Sequence, residues 1–484
     1  MLGLLAGSLF LLGTNRLAAQ SPTTNQPWAY RLLSESTLID DCPVCGRPTI
    51  FSPLRGTFDL RLLGATFIQT SYALENIQFT TLGRPFKITG GGTLNFHGDF
   101  ALTMTMTLEL LVDDGSTSKM CYFTNTTIFP NRTFPMLNLE LLQTNGTYIQ
   151  VLGLQIAAAP IQDLWFSTTN SFTTAGTNYP FPFIRGGDLL SITGRMVKRN
   201  ADLFTTVGDY PPGPDLGLTA IDVLPGGEIA FALGMPFTGV SLGFMQRGDL
   251  LSNRGKILYR NQQLLSAFNP SSTNDAGLDA VHVLSSGEVL FSISSNLESQ
   301  KLGLKLQRGD LLSSQGRVVY SNQQLLRNFN PTNSTADYGL DSFFIWPNGE
   351  VWFSTEDGFQ DRNLGPIGSG DLLSDQGYIA FLNSDLVAAF APTNAPGDLG
   401  LDSLFIVTDD TPPTPSGKLS LATDAGTSSA GLSWVSPGHV FRLERADSAA
   451  GPFKPLGPIS ADLSFTNASV ISKRPQSFYR LRQW

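Results

Sequence analysis

The sequence has little charge and few of the residues from which common catalytic and metal sites are built. Only 15% of its 484 residues are charged, and it has three histidines and three cysteines. The 31 basic and 40 acidic residues give a net charge of −9, and the cations are not clustered, so a phosphate backbone would be repelled. The protein is therefore not predicted to bind nucleic acid.

Long apolar runs are also scarce. After the segment Met1–Gly13, no stretch supplies the about 20 apolar residues that a membrane-spanning helix needs, so no span is predicted. That segment, followed by Ala18 and Ala19, has the pattern of a secretory signal peptide at 1–20, although no basic residue precedes the apolar run. The sequence predicts a protein that is secreted or held at the cell surface.

Motifs of the common enzyme classes are missing, including HExxH, the Walker loop, the dinucleotide fingerprint and the EF-hand loop. One GxSxG pattern, Gly239–Gly243, lies in a connection between strands and not between a strand and a helix, so a nucleophile elbow at Ser241 is not expected. Two RGD tripeptides, Arg247–Asp249 and Arg308–Asp310, fall on a repeated glycine turn, which is their simpler interpretation.

The three cysteines are Cys42 and Cys45, in DDCPVCGRP, and Cys121. They lack the partners that would complete a four-ligand zinc site, and the CxxC precedes a strand-like segment instead of opening a helix. In an oxidising compartment we expect a disulfide that closes this loop. Which two of the three thiols pair is left open.

Glycine, proline and phenylalanine are plentiful, at 48, 30 and 33 residues, which predicts an all-β fold of strands and turns. The string GDLLS recurs with its aspartate every 61 residues, followed by a turn glycine and an asparagine at the same spacing. The repeated aspartates are Asp188, Asp249, Asp310 and Asp371. A second landmark, GLT or GLD, recurs at nearly the same period, so the repeat is genuine.

Within one repeat, GLDSFFIW and EVWFST are joined by Pro347, Asn348 and Gly349, and an Asn-Gly turn between apolar runs is a strong hairpin signal. A second hairpin consists of DLLS, a turn ending in Gly316 and RVVYSN, so each unit offers about four strands, as a propeller blade does. Units cut before the EVWFST strand run over 161–224, 225–285, 286–347 and 348–408. We favour a closed, propeller-like ring over an open stack, because closure removes exposed strand edges.

The regions on either side of the 161–408 array are also predicted to be β. Residues 27–160 carry alternating strand-like runs and predict a β-sandwich-like domain, with an extended sheet as the alternative. Residues 409–418 form a proline-rich linker, and residues 419–484 have at least four strand-like runs around Trp434, as in a small fibronectin type III or immunoglobulin-like module.

The repeated aspartates have two interpretations. Asp188, Asp249, Asp310 and Asp371 are matched by Asp279, Asp341 and Asp402 in the second landmark, where the first unit has Thr219. Such loops could bind calcium if backbone carbonyls complete the ligand set. The favoured alternative is that each aspartate accepts hydrogen bonds from its own turn, and no other cofactor is expected.

The chain combines tandem GLDAxxxLxxGExxFS and GDLLSxxG units with DDCPVCGRP near the start and with RLERADSAAGPF and FYRLR near the end. In this combination it resembles uncharacterised secreted β-repeat proteins of verrucomicrobial and planctomycete-type bacteria. The resemblance covers nearly the whole chain after the apolar leader. It implies the fold and the compartment, and no catalytic residue.

These observations favour a non-enzymatic protein for adhesion, scaffolding or recognition of a glycan or another protein at the cell surface or in the matrix. The alternative is a secreted hydrolase or lyase acting on polysaccharide through Glu228, Glu288 or Glu350. Those glutamates share one repeat position, and an active site needs different groups in one cleft. The oligomeric state is left open.

The repeat predicts that one unit does not fold alone, because each unit must bury its sheet against a neighbour. Residues 225–285, expressed in isolation, should show no cooperative thermal transition by circular dichroism. A sharp and reversible transition of that fragment would contradict the prediction.

Overall fold

The computed structural model describes residues 26–98, 102–175, 182–206, 215–393, 397–411, 415–424, 429–467 and 477–484. The signal peptide expected at 1–20 lies outside these residues. The described chain is all-β, as predicted, with short helices only in the repeats. None of its helices is both long and apolar enough to cross a membrane.

The N-terminal domain is one nine-stranded antiparallel sheet. Its strands are β1 (Trp28–Leu32), β2 (Thr37–Asp41), β3 (Ile50–Ala65), β4 (Gln69–Thr81), β5 (Lys87–His97), β6 (Thr103–Asp113), β7 (Ser118–Thr124), β8 (Leu137–Gln143) and β9 (Val151–Ala159). The strands are paired in the order β4, β5, β6, β7, β8, β9, β2, β3. Strand β3 also pairs with β4, for example Leu60 with Leu74, so the sheet closes on itself.

Alternate side chains of these strands fill the interior of the closed sheet. In β6, Met104, Met106, Leu108, Leu110 and Val112 are buried, and the residues between them are half-buried or exposed. The β-sandwich-like domain expected at 27–160 is thus a single continuous sheet and not two packed sheets. The alternating pattern is the same in both arrangements, because each presents one strand face to a core.

The repeats form four four-stranded antiparallel sheets. The first contains β10 (Asp163–Ser167), β13 (Leu189–Ser191), β14 (Arg195–Lys198) and β33 (Ser403–Val407). The second contains β15 (Ala220–Leu224), β16 (Glu228–Ala232), β19 (Leu250–Ser252) and β20 (Lys256–Tyr259). The third contains β21 (Val281–Val283), β22 (Val289–Phe291), β25 (Leu311–Ser313) and β26 (Arg317–Tyr320). The fourth contains β27 (Ser342–Ile345), β28 (Val351–Ser354), β31 (Leu372–Ser374) and β32 (Tyr378–Phe381).

The first sheet joins the two ends of the array. Strand β10 pairs with β33 over five residues, with Trp165 opposite Phe405. The inner strands β33, β15, β21 and β27 contact one another in a closed cycle, and an apolar core lies between each pair of neighbouring sheets. The array is therefore a ring in which each unit contributes three strands to one sheet and the inner strand of the next.

Each unit also contains elements that were not predicted from the sequence. A two-stranded hairpin connects the second and third strands of each sheet: β11 (Phe172–Thr173) with β12 (Phe183–Ile184), β17 (Phe237–Gly239) with β18 (Gly243–Met245), β23 (Leu297–Ser299) with β24 (Leu304–Leu306), and β29 (Phe359–Asp361) with β30 (Gly365–Ile367). The repeated asparagine begins a short helix: α1 (Asn200–Phe204), α2 (Asn261–Leu265), α3 (Asn322–Leu325) and α4 (Asn383–Val387). Single 3-10 turns follow at Ser266–Phe268 and Ala388–Phe390.

A closed cycle of four hydroxyl-to-carbonyl hydrogen bonds joins neighbouring sheets near the ring axis. The bonds are Ser167 Oγ to Leu218 O at 2.7 Å, Thr219 Oγ1 to Leu278 O at 2.7 Å, Ser292 Oγ to Leu340 O at 2.7 Å and Ser354 Oγ to Leu401 O at 2.9 Å. The second sheet has Ala232 where the other three have serine, and Thr219 supplies the missing hydroxyl from a different position of the same sheet.

The C-terminal module consists of two three-stranded sheets. One contains β34 (Lys418–Asp424), β35 (Ser429–Val435) and β38 (Ser464–Asn467), and the other contains β36 (Phe441–Ala446), β37 (Lys454–Pro455) and β39 (Phe478–Gln483). Its Val440, Ile459 and Trp484 belong to the apolar core between the first and second sheets of the ring. The fibronectin type III-like assignment stays a prediction.

Asp409 joins the three parts of the molecule. Its carboxylate accepts hydrogen bonds from Ala29 N of β1 at 3.2 Å, Gln162 Nε2 at 2.5 Å, Arg482 Nη2 at 2.6 Å and Trp484 Nε1 at 2.9 Å. The first residue of the linker expected at 409–418 is thus a half-buried contact point and not a spacer. The parts are held together by a charged hydrogen-bond network, which is strong where it is protected from water.

We predict that Thr219→Ala lowers the free energy of unfolding by about 1–3 kcal/mol, because Leu278 O then loses its donor. Adding Ala232→Ser places a hydroxyl at the position that Ser292 occupies in the next sheet, and should recover about half of the loss. Urea denaturation of the full chain measures both changes. Ala232→Ser alone is the control, and no recovery in the double variant would show that the two positions are not interchangeable.

Candidate functional site

The four GDLLS aspartates accept hydrogen bonds from the backbone of their own repeat. One carboxylate oxygen bonds the amide three residues earlier, and the other bonds the amide of the asparagine that begins the helix. For Asp310 the donors are Gln307 N at 2.9 Å and Asn322 N at 3.1 Å. Asp188, Asp249 and Asp371 repeat this pattern. Each aspartate therefore closes a turn and caps a helix, which is the chemistry of the turn interpretation.

A second set of aspartates, not predicted from the sequence, completes these loops. Asp275 accepts from Arg247 N, Gly248 N and Gly277 N at 2.9–3.1 Å. Its equivalents are Asp215, Asp337 and Asp398. Their signal in the sequence is an aspartate two residues before the glycine of each GLT or GLD landmark. Both aspartate sets stabilise loop backbone.

The calcium hypothesis for Asp188, Asp249, Asp310 and Asp371 gains no support from this geometry. Both oxygens of each carboxylate already face backbone amides, and burial raises the pKa of Asp188, Asp310 and Asp371. Among the residues that the structure describes, no three His, Cys, Asp or Glu side chains are grouped to hold a metal ion.

The three glutamates of the hydrolase alternative lie in separate sheets. Glu350 accepts from Tyr378 Oη at 2.5 Å, Ser374 Oγ at 2.6 Å and Trp352 Nε1 at 2.8 Å. Glu228 bonds Ser252 and lies 2.9 Å from Lys256 Nζ. Burial alone would raise the pKa of Glu228, but these partners lower it. A general acid needs a raised pKa, so this carboxylate is poorly suited to that role.

The RGD tripeptides, the GxSxG pattern and the cysteines lie where a role in the fold explains them. Asp249 and Asp310, the acids of the two RGD tripeptides, are buried, so neither is displayed to a receptor. Ser241 lies at the tip of the β17–β18 hairpin, with no strand-to-helix turn around it. Cys42 and Cys45 form the disulfide of the N-terminal loop, and Cys121 is buried and unpaired.

Three landmark aspartates lie beside the inner strands of the ring, where their charges act on one another. Asp279, Asp341 and Asp402 each stand directly before or within two residues of an inner strand, and the inner strands are neighbours around the ring. Asp279 accepts from Ser294 Oγ at 2.5 Å, and Asp402 accepts from Thr169 Oγ1.

The fourth sheet places a carboxylate where the first and third have these hydroxyls. Glu356 occupies the repeat position of Thr169 and Ser294, and its charge acts on Asp341. Glu356 is paired with Arg308 at 2.6 Å. The axis therefore collects negative charge in a partly dehydrated space.

Burial and mutual repulsion make these aspartates weak acids. Burial raises the pKa of Asp279 to about 7. The charges of Glu356 and Asp402 act in the same direction, and the hydrogen bond from Ser294 opposes them. Burial raises the pKa of Asp402 to about 6. Asp341, buried and facing the charges of Asp402 and Asp279, has a pKa well above its usual value. At neutral pH the cluster holds protons that the unfolded chain would release.

A polar cleft lies where the N-terminal domain meets the fourth sheet. It has a volume of about 480 Å³. Its walls are the loop before β8 and β8 itself (Asn131, Arg132, Thr133, Asn138), the end of β26 and the segment after it (Tyr320, Arg327), the β27–β28 turn (Asn348, Gly349, Glu350) and the β31–β32 turn (Asp375, Gln376, Gly377, Tyr378). No motif in the sequence connected these segments.

Contacts between the two domains fix the cleft. The Arg132 guanidinium lies 3.5 Å from the Tyr378 ring centre and pairs with Glu35. Beside it, Arg55 makes a two-pronged ion pair with Asp385 of α4, at 2.8 and 2.7 Å. Ion pairs of this fork geometry fix orientation as well as adding energy.

No protein-family model matches the chain, and no curated protein matches it. Among solved structures, one similar chain is the extracellular domain of a one-component system from B. thetaiotaomicron, at 8% identity, covering 91% of this chain and 81% of that chain with a TM-score of 0.18. A likeness at that score gives no basis for transferring fold or function. The resemblance to secreted bacterial β-repeat proteins stays a prediction.

The axial aspartates predict that stability falls as pH rises. Their pKa values are higher in the folded state than in the unfolded state, so their contribution is complete below about pH 4 and is lost as pH rises through 6 to 7. The free energy of unfolding of the full chain should be lower at pH 8 than at pH 5. Burial lowers the pKa of His282, but Asp222 raises it by more. His282 therefore also stabilises the fold less as pH rises.

Asp341→Asn separates the two contributions, because the amide mimics the protonated carboxyl and leaves His282 unchanged. This variant should lose less stability than the parent chain between pH 5 and pH 8, as judged by urea denaturation. An unchanged pH dependence would show that the axial carboxylates ionise normally.

Proposed function

We propose that the protein is a non-enzymatic, exported recognition scaffold, in which a four-bladed β-propeller presents a binding site at its junction with the N-terminal domain. The observation that supports this most is the polar cleft of about 480 Å³ at that junction. Clefts between domains are common ligand sites, and this size falls in the usual range for them. The partner is a glycan or a protein at the cell surface or in the matrix.

The cysteines support export. A disulfide between Cys42 and Cys45 is expected to persist in an oxidising compartment and to be rare in the cytosol. Cys121 is buried, and burial raises the pKa of its thiol, so it is poorly reactive. Neither feature suggests a redox enzyme.

The hydrolase alternative has less support. Glycosidases place two carboxyl groups about 5–9.5 Å from each other, on either side of one bond, with one of them kept protonated. Here Glu228, Glu288 and Glu350 occupy one equivalent position in three different sheets, and each is engaged by a serine of its own sheet. Repetition of one bonding pattern is what a structural role produces.

Incubation of the full chain with soluble polysaccharides tests this proposal. We expect no release of new reducing ends, and retention of the protein on at least one polysaccharide or on cell-surface material. Release of reducing ends that disappears in Glu350→Gln, but not in the equivalent Glu288→Gln, would overturn the scaffold role in favour of the enzyme.

A further inference from the structure

We propose that the cleft between the N-terminal domain and the fourth sheet binds a neutral oligosaccharide. The inference rests on the recognition role proposed above and names its site and the chemical class of its ligand. It is carried by the charge balance of the cleft, the polarity of its walls and its rigid construction.

The ionisable side chains of the cleft cancel one another. Arg132 and Arg327 are opposed by Glu350 and Asp375, and Arg327 Nη2 lies 3.7 Å from Asp375 Oδ2. The carboxylate of Glu350 already accepts three hydrogen bonds, and Asp375 Oδ1 accepts from Val351 N at 3.1 Å. A charged ligand would find no unopposed counter-charge, so neither an anion nor a cation is favoured.

The remaining walls present both donors and acceptors. Asn131, Thr133 and Gln376 are exposed, and Asn138 and Asn348 are half-buried. Amide side chains offer a carbonyl acceptor and an NH2 donor, and a hydroxyl offers both functions. Sugar hydroxyls need this mixture, whereas an apolar ligand would leave these groups without partners at a cost of about 1–3 kcal/mol each.

Tyr320 supplies an aromatic surface in this polar setting. It is half-buried at the end of β26, and a tyrosine ring gives a rigid apolar face with a polar tip. The other tyrosine of the cleft, Tyr378, is already covered by Arg132. A sugar ring, which has apolar C–H faces and polar edges, fits against Tyr320 with its hydroxyls directed to the amides.

The cleft is built before any ligand arrives. The Arg55–Asp385 pair and the bond from Ser34 N to Ala380 O at 2.9 Å join the N-terminal domain to the fourth sheet beside it. Walls held in place by such contacts lose little freedom on binding, which favours affinity for a weakly interacting ligand.

The repeat offers a matched control for the test. Tyr259 stands at the same repeat position as Tyr320, one unit earlier, and is also half-buried, but it does not line the cleft. Full-length parent, Tyr320→Ala and Tyr259→Ala proteins would be titrated with short neutral gluco-, manno-, xylo- and galacto-oligosaccharides, and with oligogalacturonate as the charged comparison. Calorimetry and saturation-transfer NMR report binding, and thermal unfolding shows that each variant is folded.

We expect a neutral oligosaccharide to bind the parent, with affinity at least about tenfold weaker in Tyr320→Ala and unchanged in Tyr259→Ala. Equal binding by both variants would overturn the site and leave the recognition role standing. Binding of oligogalacturonate alone, or of no saccharide, would overturn the ligand class. Conversion of any saccharide to shorter products would instead overturn the scaffold role itself.

Discussion

The antiparallel pairing of β10 with β33 is the contact on which the rest of the ring depends. It joins residues separated by more than two hundred positions and completes the first sheet, with Leu164 opposite Ile406 and Phe166 opposite Leu404. Without it, the inner edge of β10 would be unpaired and β33 would lose its neighbour in the sheet, and exposed edges invite pairing with other chains. The cycle of hydroxyl-to-carbonyl bonds and the apolar core beside the N-terminal domain both require the closed ring.

Closure also fixes the flanking domains relative to the repeats. The N-terminal domain contributes Leu33, Met136, Ala157 and Ala159 to the core that the first and fourth sheets share, and Ile161, just after β9, packs there as well. Asp409 then links β1, the segment before β10 and the C-terminal strand β39 through a single carboxylate. The polar cleft follows from this arrangement, because its walls come from the N-terminal domain, from the third unit at Tyr320 and Arg327, and from the fourth sheet.

The local features of the fold were largely predictable from the sequence. Asn348 and Gly349 between two apolar runs predicted the β27–β28 hairpin, and the turn glycine after GDLLS predicted β25–β26. The repeat period also marked Asp188 and its equivalents as turn-forming residues. These features depend on residues close together in the chain, where glycine and asparagine have strong conformational preferences.

Long-range features were not predictable in the same way. The alternating runs of 27–160 could not distinguish a closed sheet from a sandwich, since closure depends on which strands pair. Ala232 replaces the serine of the other sheets, and Thr219 compensates for it. This compensation can be recognised only when the position of the acceptor, Leu278 O, is known. The cleft joins Arg132 to Tyr378 across two domains, so no spacing in the sequence marks it.

Hydrogen–deuterium exchange of the full chain, read for residues 163–167 and 403–407, tests ring closure most directly. If β10 and β33 are paired, their amides should exchange as slowly as those of the β15–β16 pair, because both pairs are internal to a sheet and open only with the ring. Rapid exchange at both segments, with β15 and β16 still protected, would contradict the account and leave the repeats as an open array.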